Sequence, residues 1–432
     1  MRTIIIGGGI GGLALAAGLR RHGLDVTVHE RDTDLAATGG YHITLDTAAL
    51  AALRALVGPE HLERLLASAS AVRRRPPDVW WDWRARPLGP VEVKGLDRDS
   101  VDVDRITLRL LLAEAAGDAL HVGRTCVGVE RELAPGPATG VGATGGGGPV
   151  RARFADGTVE HGDLLVGADG TGSLVARHLA GGPTSRPAGV LGVSGRTAAA
   201  ALDPDERERL GPRSSLGVGP AGTALYAGFL DPEGFAVLDA APQRAAVTVG
   251  PTYIWGVMVP DTPDSAAWRG LSGAELRDAT LGALRRVGWS ERALQVVART
   301  GTDGVAAYRF HAGPDDVREM APWPAGPITA LGDAVHATPP TAGKGAGTAL
   351  VDAAALLEGL LAVRAGTTTP LLAVSAFEQA MRHRGTAVVA LSMVTVRRVL
   401  ASSTPAGSAL TRASLPLLAG ATALRTRRER RG

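Results

Sequence analysis

The opening stretch, Arg2 to Asp32, leaves this chain few ways to begin a fold. Thr3 to Ile6 is a continuous β-branched run, which suits a parallel strand buried on both faces. Gly7-x-Gly9-x-x-Gly12 follows at once. Leu13, Ala16, Ala17 and Leu19 to Leu24 supply a helix with small residues toward a sheet, and Val26 and Val28 begin a second strand ending in Glu30. The glycines permit a tight turn, let backbone approach a pyrophosphate, and let helix pack on strand. Glu30 stands where an acidic side chain can take the ribose hydroxyls of an adenosine. Strand, glycines, helix, second strand and acid together predict a dinucleotide site.

Two later stretches have the same grammar. Pro327 to Leu356 reads as a buried strand (Ile328, Ala330, Leu331), a turn at Gly332-Asp333, a Pro/Gly loop, and a helix from Thr348. Asp333 can accept hydrogen bonds from sugar hydroxyls. Gly343, Gly345 and Gly347 let amides approach a ligand, and the helix N-terminus offers that ligand its positive dipole end. Asp163 to Arg177 is again an apolar strand, a Gly/Asp turn at Asp169-Gly170, and a short helix. Gly140 to Gly145 also spells GxGxxG. No strand enters it and Pro149 follows, so it is read as a loop joining strands at Thr125 to Glu132 and Val150 to Phe154.

Between these pieces, Val190 to Thr197, Ser214 to Val218, Thr223 to Phe229 and Ala245 to Val259 alternate like antiparallel strands. Tyr253, Trp255 and Val257 share one face of the last. Val79 to Trp83 reads as a strand with Trp81 and Trp83 on one face, as core packing or as substrate contact. Arg105 opens a helix carrying Leu108, Leu111 and Leu112. A cation there opposes the helix dipole, which suggests an anionic partner, a surface ion pair being the alternative. Leu371 to Leu400 reads as helix, and Ser402 to Gly432 as an apolar-then-Arg tail, solvated at its end.

Of 46 cationic residues all but Lys94 and Lys344 are Arg, yet the net charge is only +3. No basic run is interleaved with aromatics, so no nucleic-acid partner is expected. A single cysteine, Cys126, excludes an intramolecular disulfide framework and a cysteine-built metal site, and no metal is expected. The start of the chain shows no charged-then-apolar leader, and no uninterrupted apolar run spans a membrane; a cytoplasmic location is expected.

Three nucleotide-binding pieces in this order resemble the FAD-dependent class A monooxygenases, the 4-hydroxybenzoate hydroxylase-like aromatic hydroxylases, over roughly residues 1 to 400. Gly7, Gly9 and Gly12 with Glu30 match their ADP-binding motif. Gly167-Ala-Asp169-Gly170 matches their Asp-Gly element. Gly332-Asp333 with Pro340, Gly343 and Gly345 matches the segment at the ribityl chain and flavin ring. Arg105 with Leu108 and Leu112 looks like their Arg-x-x-Leu-x-x-x-Leu helix. Phe377-Glu378 looks like the start of an aromatic-Glu-x-x-Arg pattern, and Pro327 to Ala353 is also similar to the tetracycline-inactivating members. The chain departs from the family pattern where Ala176 precedes Arg177, where Met381 precedes Arg382, and where Gly347 replaces an Asn.

The resemblance implies an α/β fold: a Rossmann-like, three-layer ββα FAD-binding domain at 1–72, 96–182 and 312–365, an inserted antiparallel-sheet substrate domain at 73–95 and 183–311, and C-terminal helices with a basic tail at 366–432. It implies FAD held by Gly7, Gly9, Gly11, Gly12, Glu30, Arg31, Arg105, Asp169, Gly332, Asp333, Pro340, Gly343, Lys344, Gly345 and Ala346. Lys344 either stabilises charge near reduced flavin or faces solvent. NADPH or NADH would reduce the flavin, O2 would give a C4a-hydroperoxide, and an aromatic or polyketide-like natural product, as in antibiotic biosynthesis, would be hydroxylated or undergo Baeyer–Villiger insertion. No catalytic acid or base is implied. Arg196, Tyr226, Tyr253 and Trp255 are the candidates facing substrate, with core packing the competing reading of each. Competing readings of the whole are a dehydrogenase or reductase of the same fold and a flavin-binding accessory protein. A flavin-dependent halogenase would need Trp-x-Trp-x-Ile-Pro, which Trp81-Asp-Trp83-Arg-Ala-Arg does not fit. Oligomeric state is left open.

Overall fold

The computed structural model describes residues 1–36, 42–71, 76–91, 99–131, 150–231, 250–301 and 304–429. In chain order the first elements are β1 (Arg2–Ile6), α1 (Ile10–Arg21), β2 (Asp25–His29), β3 (His42–Leu45), α2 (Thr47–Leu56), α3 (Pro59–Ala67), β4 (Ser70–Ala71), β5 (Asp78–Asp82), β6 (Pro87–Val91), β7 (Val101–Asp104) and α4 (Arg105–Ala116). Then come β8 (Leu120–His121), β9 (Cys126–Arg131), β10 (Val150–Phe154), β11 (Val159–Gly162), β12 (Leu164–Gly167), α5 (Leu174–Ala180), β13 (Arg186–Ala198), α6 (Pro204–Leu210), β14 (Ser215–Val218), β15 (Ala224–Leu230) and β16 (Thr252–Pro260). The chain ends with α7 (Pro263–Ala266), α8 (Gly273–Arg286), α9 (Glu291–Ala298), β17 (Ala306–Ala312), β18 (Ile328–Ala330), α10 (Asp333–His336), α11 (Gly345–Arg364), α12 (Pro370–Ala401) and α13 (Pro405–Glu429).

A five-stranded parallel sheet in the order β18-β12-β1-β2-β8 is built from strands far apart in sequence. The alternation along β1 explains its two covered faces. Ile4 and Ile6 pack beneath the antiparallel β11-β10-β9 sheet with Val129, Val150 and Phe154. Ile5 points the other way, into a core with Leu13, Leu112 and Leu350 of α1, α4 and α11. Full burial of each such side chain contributes about 1.5–3 kcal/mol. The result is the expected three-layer ββα Rossmann-like fold.

The second sheet has seven strands, β17-β13-β16-β15-β14-β5-β6, antiparallel except where β14 meets β5. One face is filled by Val193, Leu225, Tyr253, Trp255 and Val257 against Leu281, Leu284, Leu294 and Val297 of α8 and α9. At one end of the opposite face, Val190, Ala224, Met258 and Phe310 pack on Val396 and Val399 of α12. The segment 140–145 and the start of the strand expected from Ala245 lie outside the described residues.

Two expectations need correction. The strand at Val79 ends at Asp82, whose buried carboxylate accepts from the amides of Arg84 and Arg86 and pairs with the Arg86 guanidinium, turning the chain so that Trp83 enters the core. The supposed C-terminal tail is the helix α13, tied down where Arg412 donates to the Val287 carbonyl (3.0 Å) and Thr422 to that of Leu88 (3.2 Å). By contrast, α11 is 20 residues long and apolar enough to cross a membrane by length and composition, although Asp352 and Glu358 interrupt its apolar run. Its Leu350, Leu356, Leu357 and Leu360 instead fill the core, on a helix packed between α1, α2 and α12.

Candidate active site

Parallel pairing puts the carboxyl ends of β18, β12, β1 and β2 side by side, where ligands of open α/β sheets bind. Asp333, Asp169, the Gly7–Gly12 turn and Glu30 follow these four ends in that order. The glycine turn is forced by contact as well as by conformation. Gly7 has φ 110°, and a Cβ there would lie 2.3 Å from the Ala168 carbonyl oxygen. A Cβ on Gly12 would lie 2.1 Å from the Gly7 carbonyl oxygen. Gly9 caps α1 with no side chain, which leaves the helix N-terminus for an anion. Gly11 serves packing instead, since a Cβ there would meet Leu331 at 2.7 Å.

Glu30 is buried. Its Oε2 accepts from the Gly8 amide (2.8 Å) and lies 3.1 Å from Arg109, while Oε1 accepts from Asp32 (2.9 Å). Arg109 also donates to the carbonyls of Gly8 (2.9 Å) and Leu35 (3.0 Å). Burial lowers its pKa, with Glu30 opposing. Sequence reading missed Arg109; the available signal was a second Arg one helical turn after Arg105. Arg31 is exposed and pairs at 3.7 Å with Asp32.

Asp169 is turned onto its own loop. It accepts from Ser173 and from the Leu174 amide (2.7 Å), fixing the start of α5, and burial raises its pKa. It therefore shapes the turn rather than presenting a carboxylate. Ala176 is fully buried beside it and Arg177 is exposed.

Asp333 is exposed, yet protein surrounds it closely enough that burial raises its pKa, with His336 and Arg105 opposing. A side chain facing into a deep cleft has both properties. Arg105, at the start of α4, is one of the two cations that favour the charged form of Asp333. Gly332 (φ 63°) makes the turn before Asp333, and Gly343 (φ 65°) makes the turn before α11. A Cβ on Gly345 would lie 3.8 Å from Asp333 Oδ1, so the N-terminus of α11 and this carboxylate meet. Lys344 caps α11 without a side-chain bond to it; its ammonium is 2.6 Å from Asp46 and largely buried, so it does not face solvent. Pro340 stands exposed in the loop, and Ala346 lies in the first turn of α11. Beneath the loop, His336 Nε2 lies 2.6 Å from Asp352 Oδ2, and Arg384 lies 2.9 Å from the other oxygen.

The candidates on the seven-stranded sheet divide by strand parity. Tyr253 and Trp255 face α8 and α9: the Tyr253 hydroxyl donates to the Gly211 carbonyl (2.6 Å) and the Trp255 indole to Thr300 (2.7 Å). Burial, with Glu206 nearby, pushes Tyr253 up to about 12. Both belong to the core, and neither faces the cleft. Arg196 and Tyr226 lie on the opposite face. Arg196 pairs at 2.7 Å with Asp104, the residue that caps α4, and Tyr226 donates to Ser214 (3.1 Å).

A turn with no room for a Cβ at Gly7 or Gly12, two helix N-termini without side-chain caps and a cleft-facing acid at the ends of neighbouring parallel strands fit an elongated anionic dinucleotide. The chain matches a model of the NAD(P)-binding Rossmann-like domain over residues 5–49 and one of the FAD binding domain over residues 289–392. It is 27% identical over 361 residues to an FAD-dependent urate hydroxylase of Mycolicibacterium vanbaalenii, covering 82% of this chain and 78% of the relative. To a 6-methylsalicylate 1-monooxygenase of Aspergillus terreus it is 27% identical over 421 residues, covering 91% and 82%. Among solved structures, Klebsiella pneumoniae HpxO with FAD and uric acid superposes with a TM-score of 0.70 at 21% identity, covering 97% of this chain and 93% of that one. P. aeruginosa PqsL with 2-aminobenzoylacetate gives 0.65 at 21%, covering 93% and 98%. These two structures speak for the fold. The cradle, the two matched models and relatives aligned along most of the chain agree: the chain carries an FAD-binding domain and is similar along most of its length to FAD-dependent aromatic monooxygenases, which are oxidoreductases.

Proposed function

We propose that this protein oxygenates a planar aromatic or polyketide-like small molecule, using NAD(P)H as reductant and O2 as oxygen donor. The observation that carries the reading is the meeting of Asp333, Gly345 and the α11 N-terminus at the end of β18, with Arg196 of the seven-stranded sheet paired to Asp104 at the start of α4. Gly7, Gly9, Gly12 and Glu30 would hold the ADP half of FAD; Gly332, Asp333, Gly343, Lys344, Gly345 and Ala346 would hold the flavin half. The chemistry supplied by the bound cofactor is acceptance of a hydride from NAD(P)H and delivery of one oxygen atom of O2 to the substrate. The amides at the start of α11 would stabilise negative charge on the ring, and the sheet would keep water from it. Residues 1–72, 96–182 and 312–365 would act as the cofactor domain, and 73–95 with 183–311 as the substrate domain.

The test is NAD(P)H oxidation by the yellow, FAD-loaded protein against a panel of phenols and aromatic polyketides under labelled O2. One labelled oxygen atom in the product supports the reading. Oxidised product without label identifies a dehydrogenase, and flavin that no panel member helps NADPH or NADH to reduce identifies an accessory protein.

A further inference from the structure

The face of the seven-stranded sheet that carries Arg196 and Tyr226 is packed at one end and open at the other. On β13 and β16, residues directly opposite one another share a face. Gly192 and Met258 are such a pair, at the end covered by Phe310 and α12. One pair further along, Ser194 stands opposite Gly256. A Cβ on Gly256 would meet nothing within 4 Å, although this glycine sits in a central strand. Beside it the Ser194 hydroxyl is buried, 1% exposed as a residue, and has no hydrogen-bond partner among the described residues. A buried hydroxyl left this way forgoes a hydrogen bond that water would otherwise give it, unless something else supplies one. The next pair is Arg196 and Ile254, and Tyr226 stands opposite Gly256 from the other side.

Two contacts place this gap beside the cofactor loop. Arg196 reaches Asp104, the cap of the helix whose Arg105 bears on Asp333. The loop before α11 is tied to α12 where Thr341 donates to the Ser392 carbonyl (2.6 Å), one residue before Met393, which packs with the covered end of the sheet. The charge here is already balanced. Both members of the Arg196–Asp104 pair are largely shielded from solvent, so an incoming carboxylate would meet Asp104 along with the guanidinium.

We propose that Ser194 and Gly256 form a recess that takes an uncharged oxygen substituent, a phenol hydroxyl or a ketone, on the edge of a planar substrate. Gly256 leaves the room and Ser194 gives the hydrogen bond. The inference rests on the oxygenase reading only in taking this face as the substrate's.

The test titrates two probes into the FAD-loaded protein and follows the visible absorbance of the flavin: 4-hydroxyacetophenone, which is uncharged, and 4-hydroxybenzoate, which carries a carboxylate. The uncharged probe is expected to bind at least tenfold tighter. Ser194→Ala weakens it about three- to tenfold. Gly256→Val weakens it tenfold or more, with bound FAD per chain unchanged; if that variant loses FAD or fails to fold, Gly256→Ala puts a single carbon into the same gap. Without probe, Ser194→Ala melts no lower than the parent, because the hydroxyl has no partner to lose. A hydroxyl with a merely structural role would lower the melting temperature. Equal or tighter binding of 4-hydroxybenzoate overturns the proposal, as does indifference of the uncharged probe to both substitutions, or a parent protein whose flavin responds to neither compound. None of these readouts needs NAD(P)H or O2, so a failure here is distinct from a failure of the oxygenase reading.

Discussion

Arg109 holds the nucleotide end of the cleft together more directly than Arg105, the residue the sequence singled out. It reaches Glu30, the Gly8 carbonyl and the Leu35 carbonyl from inside the protein. Arg109→Met would leave Glu30 buried without its cation, which costs about 3–5 kcal/mol. The variant is expected to unfold at correspondingly lower denaturant and to lose FAD on gel filtration; wild-type stability with full FAD retention would contradict the role given to it. The glycines at 7, 9 and 12 and the acid at 30 were legible because their constraint is local: a strand, a turn and a helix adjoining in sequence. Arg109 was not, since its partners lie across the fold and its one-turn spacing from Arg105 is shared by many solvated helix residues. Strand parity likewise showed that Tyr253 and Trp255 share a face. Only the packing of α8 and α9 shows that the face is the filled one.

At the scale of elements, α10 and α11 are joined by a buried charge network. Asp352 pairs with His336 and Arg384, and its Oδ2 also accepts from the Gly332 amide (3.3 Å) at the turn before Asp333. Burial alone would lower His336, but Asp352 outweighs it and the net shift is upward from 6.5. Burial alone would raise Asp352, but His336 and Arg384 carry it below 3.8. A raised histidine contributes in full below its unfolded value and fades as pH rises through the folded one. A lowered aspartate contributes above its unfolded value and fades only in acid. The network therefore holds best between 3.8 and 6.5 and weakens on the alkaline side. Melting temperature should fall as pH rises past 6.5, and His336→Gln should flatten that slope while lowering stability in the acidic range; an unchanged slope in the variant would assign the alkaline loss elsewhere. The same helix accounts for a departure from the family pattern. A Cβ on Gly347 would lie 3.2 Å from that of Ala49 on α2, so the Asn usual at this place would crowd that helix. Gly347→Asn is expected to destabilise by about 1–3 kcal/mol, and Ala49→Gly in the same chain to recover part of that; restored stability without the second change would mean the helices separate freely.

For the molecule as a whole, what must be fixed is the distance between the cofactor loop and the substrate sheet, and α12 spans both. Near its start, Phe377 fills the core under the parallel sheet, and Glu378 accepts from Trp323 (3.0 Å) and from Thr329 of β18 (2.7 Å). Midway, the Ser392 carbonyl holds Thr341 of the cofactor loop. Near its end, Val396 and Val399 pack against Val190, Met258 and Phe310 of the seven-stranded sheet. The sequence showed a long helix here and an antiparallel sheet inserted earlier, because both follow from local periodicity. It could not show that one element braces the two layers, since that depends on the helix passing under both. Val396→Ala removes two carbons where the helix supports the sheet, at a cost of about 2 kcal/mol. FAD binding, which the glycine turn and the α11 N-terminus would carry, should be unchanged. The substrate, held on a loosened sheet, would be misplaced relative to the flavin, and misplacement on this scale is costly to the transfer step. Reductant consumption should then continue while the yield of oxygenated product per NAD(P)H falls by about half or more. Product and reductant falling together would place the effect on reduction instead, and an unchanged ratio would show that the sheet is positioned without α12.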